Sequence, residues 1–236
     1  MKMEFILVLP FVFLGIILAG VILMFKYKKF NKSTYQVASG NRFFQTIFDK
    51  GNYGEYLTYA LLEKLDGQHR LMTNLYIPKK DGTTTEIDLI MLSTSGIYVF
   101  ESKNYSGWIF GDEKNKNWIQ TFENKQKHRF FNPIWQNKGH INALKSITDE
   151  SYHPFFKSYI VFSERCKLKK INVTSPNVKV LKRNLLLKTI KNDIADSSNL
   201  ITVAKINQLY LQLKKFTRVD DQVKYAHITS MRMKRL

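Results

Sequence analysis

The sequence predicts an α/β domain, a central mixed sheet flanked by helices, preceded by one transmembrane helix. Three observations carry this expectation. The stretch "FILVLPFVFLGIILAGVILMF", Phe5 to Phe25, holds no charged residue. Strand-type runs rich in β-branched and aromatic residues cluster in the middle of the chain, with helical spacing on both sides. The charge is divided unevenly along the chain, which separates a near-neutral core from a basic end.

The apolar stretch comes first. As a helix it spans about 30 Å, the thickness of the hydrocarbon core. Pro10, Gly15 and Gly20 are tolerated in such a helix. A cleavable signal peptide is the rival reading; the apolar stretch is longer than a usual signal core, and only Lys2, opposed by Glu4, precedes it. Lys26, Lys28, Lys29 and Lys32 follow it, so the positive-inside rule places the N-terminus outside the cell membrane and the rest in the cytoplasm. The expected organisation is a transmembrane helix over 1–25, a basic linker over 26–40, a folded domain over 41–164 and a basic helical extension over 165–236.

Within the domain, Leu57, Ala60, Leu61 and Leu65 mark a helix from Tyr53 to Leu65, with Gly67 just past its end. "HRLMTNLYIP" is a first strand, followed by the turn Lys79-Lys80-Asp81-Gly82. Strands Glu86–Leu92 and Ile97–Lys103 flank the turn Ser93-Thr94-Ser95-Gly96, and "WIFGDEKNKNWIQTF" forms a further hairpin. Asn132 caps a helix that starts at Pro133. "KSYIVFS" and "NVKVLK" are short strands, and Thr202 caps a helix with Ile206, Leu209, Tyr210 and Leu213 on one face.

The net charge is +18, but residues 41–164 hold 15 Lys and Arg against 14 Asp and Glu, whereas residues 165–236 hold 17 against 4. The basic C-terminal third, from "KLKK" at 167–170 to the closing "RMKRL", suits nucleic-acid phosphates or anionic lipid headgroups, or is a set of solvated faces. Trp108, Trp118 and Trp135 are core candidates before they are base-stacking platforms. The single Cys166 excludes an internal disulfide and is read as a small buried side chain.

The hairpin carries the chemistry. A four-residue loop pairs Leu92 with Ile97, which sets Asp88 across from Glu101 and Glu86 across from Lys103, all four on one face. Like charges directly opposed are destabilising, and a divalent cation reverses that sign. Mg²⁺ held by Asp88 and Glu101 beside Lys103 is a minimal toolkit for phosphodiester hydrolysis. The bland reading of the same residues is two solvated cross-strand pairs on an exposed edge.

In combination, Gly54-Glu55, Glu86-Ile87-Asp88, Glu101-x-Lys103-Asn104, Gly107 and Asn132-Pro133-x-x-Gln136 resemble the nuclease-related domain family, from about Arg42 to Ser163. That family is regarded as a branch of the PD-(D/E)xK nuclease-like superfamily. The resemblance implies a restriction-endonuclease-like fold and a Mg²⁺ (or Mn²⁺) dependent nuclease acting on DNA. It implies Asp88 and Glu101 as metal-binding acids, Lys103 as the catalytic lysine, Glu55 as an additional acid and Gln136 as a polar neighbour. Ser102 departs from the family's usual small apolar residue and is expected to point away from the site. His140 is read as a surface or core histidine. The alternative function is a non-catalytic nucleic-acid-binding or membrane scaffold protein that keeps the fold.

Overall fold

A computed structural model of the chain describes residues 2–79, 81–197 and 199–233. Lys80 of the expected turn and the last three residues of the basic C-terminal run lie outside the described residues. The elements in chain order are α1 (Lys2–Asn31), α2 (Tyr35–Ser39), α3 (Phe43–Phe48), α4 (Lys50–Leu62), β1 (His69–Pro78), β2 (Thr84–Ser93), β3 (Gly96–Lys103), β4 (Gly107–Asp112), β5 (Asn117–Thr121) and β6 (Lys127–Phe131). They continue with α5 (Pro133–Lys145), β7 (Phe156–Phe162), β8 (Cys166–Asn172), β9 (Val178–Lys182), α6 (Leu186–Ala195), α7 (Val203–Lys214) and α8 (Asp221–Met233).

The strands form two mixed sheets. The larger has the order β1-β2-β3-β7-β9, in which β1, β2 and β3 are antiparallel neighbours and β7 and β9 run parallel to β3. The smaller has the order β6-β5-β4-β8, with only β4 and β8 parallel. Helices cover both faces of the larger sheet. On one face Ile97 and Val99 of β3 pack with Ile141 and Leu144 of α5 and Leu209 of α7. On the other, Tyr98 and Phe100 pack with Tyr56, Tyr59 and Leu62 of α4 and with Leu186 and Ile190 of α6. Trp118 and Ile109 of the smaller sheet close over Ile160 and Phe162 of β7, with the Trp118 and Phe162 rings stacked at 6.1 Å. Trp118 is thus a core residue.

α1 is one long apolar helix, and the stretch from Phe11 to Asn31 is long and apolar enough to cross a membrane, with its most apolar window unburied by the rest of the chain. The expected linker differs from what forms. Phe30 and Tyr35 are fully buried with Phe43 and Tyr56, so residues 26–40 are helical over most of their length. Glu63 fixes the junction, accepting hydrogen bonds from Ser33 Oγ and from Thr34 N and Oγ1 at 2.5–2.7 Å. The basic C-terminal part likewise joins the fold: β8 and β9 complete the two sheets, and α6 and α7 cover the larger one. Lysines at 167, 169 and 170 fall on an edge strand, where charge blocks further strand pairing. Cys166 is buried, its Sγ against Ser163 O at 3.3 Å, and burial pushes its thiol up, away from a reactive thiolate.

Candidate active site

The β2–β3 register is the expected one: Leu92↔Ile97, Met91↔Tyr98, Ile90↔Val99 and Leu89↔Phe100. The ladder then stops, one step before Asp88 and Glu101. The cause lies on the neighbouring strand. Asn74 of β1, in line with Asp88 between the pairs Thr73↔Leu89 and Leu75↔Ile87, takes a left-handed φ of 53°. Side-chain alternation changes phase there. Met72 and Leu75 face the same core, as do Ile87 and Ile90. Strand β2 therefore splays from β3 at Asp88, and the site forms in this fork.

Glu86, expected across from Lys103, is carried elsewhere by the same phase change. It accepts a 2.6 Å hydrogen bond from Tyr76 OH and stands 3.9 Å from His227 Nε2. The other acids gather as expected. Asp88 Oδ2 accepts from the Ser102 N–H at 3.1 Å, across the open fork. Glu101 is 2% exposed; its Oε1 meets Lys103 Nζ at 2.7 Å. Lys103 Nζ also donates to Gln136 Oε1 at 3.0 Å, so α5 supplies the lysine's second partner. Ser102 points to the opposite face, where its hydroxyl lies 3.1 Å from Thr58 Oγ1.

Glu55 enters from the other side of the sheet, on α4, whose N-cap Asp49 accepts from Asn52 N. Burial, followed by the charges of Asp88, Glu86 and Glu101, pushes its carboxyl well above the ordinary value. Burial and the charge of Glu101 push Asp88 up to about 7, although Lys103, His140 and the Ser102 N–H pull the other way. Burial also acts to raise Glu101, but Lys103 and His140 together outweigh it and hold that carboxyl below its usual range. Burial acts to lower Lys103, and Glu101 outweighs it, so the ammonium is held above its usual value. The charged forms of Glu101 and Lys103 thus favour each other, whereas burial disfavours the charged forms of Asp88 and Glu55.

His140 belongs to this cluster, which the sequence reading missed. Its Nε2 lies 3.1 Å from Glu101 Oε2, and a carboxylate only accepts, so Nε2 carries the proton and donates. Nδ1 lies 2.9 Å from Thr85 Oγ1. The available signal was its place one turn after Gln136, on the same face of α5.

The remaining motif residues shape the site. A Cβ on Gly54 would stand 2.9 Å from Asn104 Cβ, so glycine there lets α4 approach the end of β3. Gly107 has φ +74°, and a Cβ would lie 2.5 Å from Thr121 O. Asn132 is fully buried; its Oδ1 caps α5 through Ile134 N at 2.9 Å, and its Nδ2 donates to the carbonyls of Asp112, Glu113 and Asn115.

Among the described residues, no group of three His, Cys, Asp or Glu side chains stands close enough to hold a metal ion. The donor chemistry still suits a hard dication. Asp88 and Glu101 are oxygen ligands, Mg²⁺ takes one or two carboxylates and keeps several waters, and burial together with the charge of Glu101 disfavours a bare Asp88 carboxylate.

A mixed α/β core with two acids and a lysine at one hairpin is consistent with the PD-(D/E)xK-like nuclease group. The chain belongs to the nuclease-related domain family of that group, whose pattern matches residues 50–163. It is also similar to an uncharacterized protein of Bacillus anthracis, pXO1-01, at 32% identity over 182 residues, which cover 76% of this chain and 82% of that one. No solved structure matches the chain.

Proposed function

We propose that this protein is a membrane-anchored, Mg²⁺- or Mn²⁺-dependent nuclease that hydrolyses phosphodiester bonds in DNA. The observation that carries the reading is the fork itself, where Glu101 pairs with Lys103 at 2.7 Å and Asp88 lies within electrostatic reach of both. Asp88 and Glu101 are the residues to hold the metal, which supplies a Lewis acid and lowers the pKa of a water. Lys103, charged and fixed between Glu101 and Gln136, orients that water and stabilises negative charge growing on the phosphate. His140 positions Glu101. Glu55, whose carboxyl burial and the neighbouring acids push above its ordinary value, is suited to donate a proton.

In this reading α1 spans the cell membrane with the N-terminus outside, and Lys26, Lys28, Lys29 and Lys32 mark the cytoplasmic side. The burial of Phe30 in the domain favours a retained anchor over a cleaved signal. Basic residues of the C-terminal third contribute attraction for DNA or for anionic lipid.

The test is calorimetric titration of Mg²⁺ and Mn²⁺ into the full chain in detergent, with cleavage of plasmid and linear DNA measured in parallel. Asp88→Asn is expected to abolish metal binding and lower the cleavage rate by about 10²- to 10⁴-fold. Cleavage at the wild-type rate in Asp88→Asn removes the assignment. DNA binding without hydrolysis or metal binding in the wild type gives the lead to a non-catalytic binding protein.

A further inference from the structure

Past Lys103, the end of β3 borders a second group of charges that hydrolysis does not use. Arg183, at the end of β9, is 2% exposed. Its Nε faces Thr58 Oγ1 at 3.3 Å, and its Nη1 faces Glu164 Oε2 at 3.3 Å. Its Nη2 is buried with no hydrogen-bond partner. An orphaned buried donor calls for an explanation, and a missing ligand is a common one.

Arg183 also borders a cavity of about 230 Å³, together with Lys50, Tyr53, Asn104, Ser163 and Arg165. Arg165 is exposed at the mouth and donates through Nη2 to Asn104 O at 2.8 Å and Oδ1 at 3.0 Å. Three cations stand against the single carboxylate of Glu164, which is itself 48% exposed. Two guanidiniums and a lysine suit the several oxygens of a phosphate better than one more carboxylate. Gly54 stands beside the guanidinium, since a Cβ there would lie in ordinary contact with Nη2 at 3.7 Å.

The cavity also adjoins the fork. Asn104 follows Lys103 in the chain, Ser163 N donates to Lys103 O at 3.0 Å, and Gly54 precedes Glu55. Side chains alternate along β3, so the Lys103 amine and Asn104 flank opposite sides of one strand end. We propose that this cavity is a phosphate-binding subsite, gripping a phosphate of the bound nucleic acid strand that neighbours the one at Lys103. This deepens, and rests on, the nuclease reading. The phosphate is either an internal diester or a terminal monoester; both offer the oxygens the cavity recognises.

The experiment uses the full chain in detergent without divalent metal, so that binding is read apart from cleavage. Affinity for a short labelled single-stranded DNA, with and without a 5′-phosphate, is measured by fluorescence anisotropy. Arg165→Ala and Lys50→Ala, both at exposed positions, are compared with Lys205→Ala on α7 across the sheet. Arg165→Ala is expected to weaken binding about tenfold, the scale of one charge-assisted phosphate contact, and inorganic phosphate to compete in the wild type. A 5′-phosphate that strengthens binding in the wild type but not in Arg165→Ala assigns the subsite to a strand end. Equal losses for both oligonucleotides assign it to an internal phosphate. If Arg165→Ala lowers the unfolding midpoint, Lys50→Ala carries the comparison. Losses no larger than that of Lys205→Ala overturn the subsite, because they reflect net charge alone. Cleavage by the wild type with Mg²⁺ added separates the two readings: Arg165-dependent binding in a wild type that never cleaves leaves the subsite and removes the nuclease, and cleavage without Arg165-dependence does the reverse.

Discussion

Two acidic groups of this domain, Asp112-Glu113 beside the second sheet and the fork around Asp88, differ in what meets each carboxylate. Glu113 accepts from Thr174 N and Oγ1, from Ser175 N and from the Ser175 hydroxyl, and these donors hold its carboxyl down to about 2. Asp112 accepts from Asn172 Nδ2 and Lys114 N and is lowered too. In the fork, Asp88 accepts one backbone N–H, and its largest charged neighbour is another acid. The loop spends its acids on structure. The fork buries Asp88 beside Glu101, and a cation would relieve the penalty on its charged form.

The comparison can be broken most forcefully at Asn132, which holds the acidic loop by three carbonyls and caps α5. Asn132→Ala is expected to cost about 2–4 kcal/mol, a lost cap plus unsatisfied buried carbonyls, read from urea unfolding. A cost below about 0.5 kcal/mol would mean the loop supports itself. In the fork, Mg²⁺ at a hundredfold excess over its dissociation constant is expected to stabilise the wild type by about 2.7 kcal/mol and to leave Asp88→Asn unmoved. An equal rise in both places the ion elsewhere.

Smaller effects of opposite sign follow at the carboxylates themselves. Glu113→Gln is expected to destabilise by about 1–2 kcal/mol, because the ionised acceptor is lost. Asp88→Asn, without metal, is expected to stabilise by about 1 kcal/mol at pH 8, because a repelled charge disappears. A matching sign for the two variants would erase the distinction drawn between the clusters. The pH dependence separates them further. Glu113 has a folded value below its unfolded one, so its contribution is present above about 4.5 and fades as pH falls toward 2. Asp88 has a folded value raised from 3.8 to about 7, so the folded chain holds the extra proton and stability declines as pH rises through that window. Thermal unfolding of wild type and Asp88→Asn between pH 5 and 8 reads this directly: the two curves are expected to diverge as pH rises.

Much of this was legible in the residues. The loop Ser93–Gly96 set the β2–β3 register, and Asn132-Pro133 and Thr202 marked helix starts that the structure keeps. Of the expected site residues, Glu101, Lys103 and Gln136 touch one another, and Asp88 and Glu55 lie within electrostatic reach of Glu101. What stayed hidden depended on contacts distant in sequence. Strict alternation put Glu86 beside Lys103, but a left-handed Asn74 on the neighbouring strand turns it to Tyr76. "KLKK" carries no apolar alternation strong enough to announce a strand; β8 forms because β4 offers it a parallel partner. Lys26–Gly40 looks like a linker by composition, and becomes structure because Phe30 and Tyr35 find Phe43 and Tyr56.

That last packing has a mechanical consequence. Where α1 crosses a bilayer, the burial of Phe30 and Tyr35 leaves the domain no slack: helix and domain turn as one body. A domain on a flexible tether sweeps a volume, whereas one joined to a membrane helix in this way keeps the same side toward the lipid. Which side that is depends on the angle at which the helix hands over to the core. Each residue added to α1 ahead of Phe30 would turn the domain by about 100° about the helix axis and shift it by about 1.5 Å along that axis, without altering the chemistry of the fork.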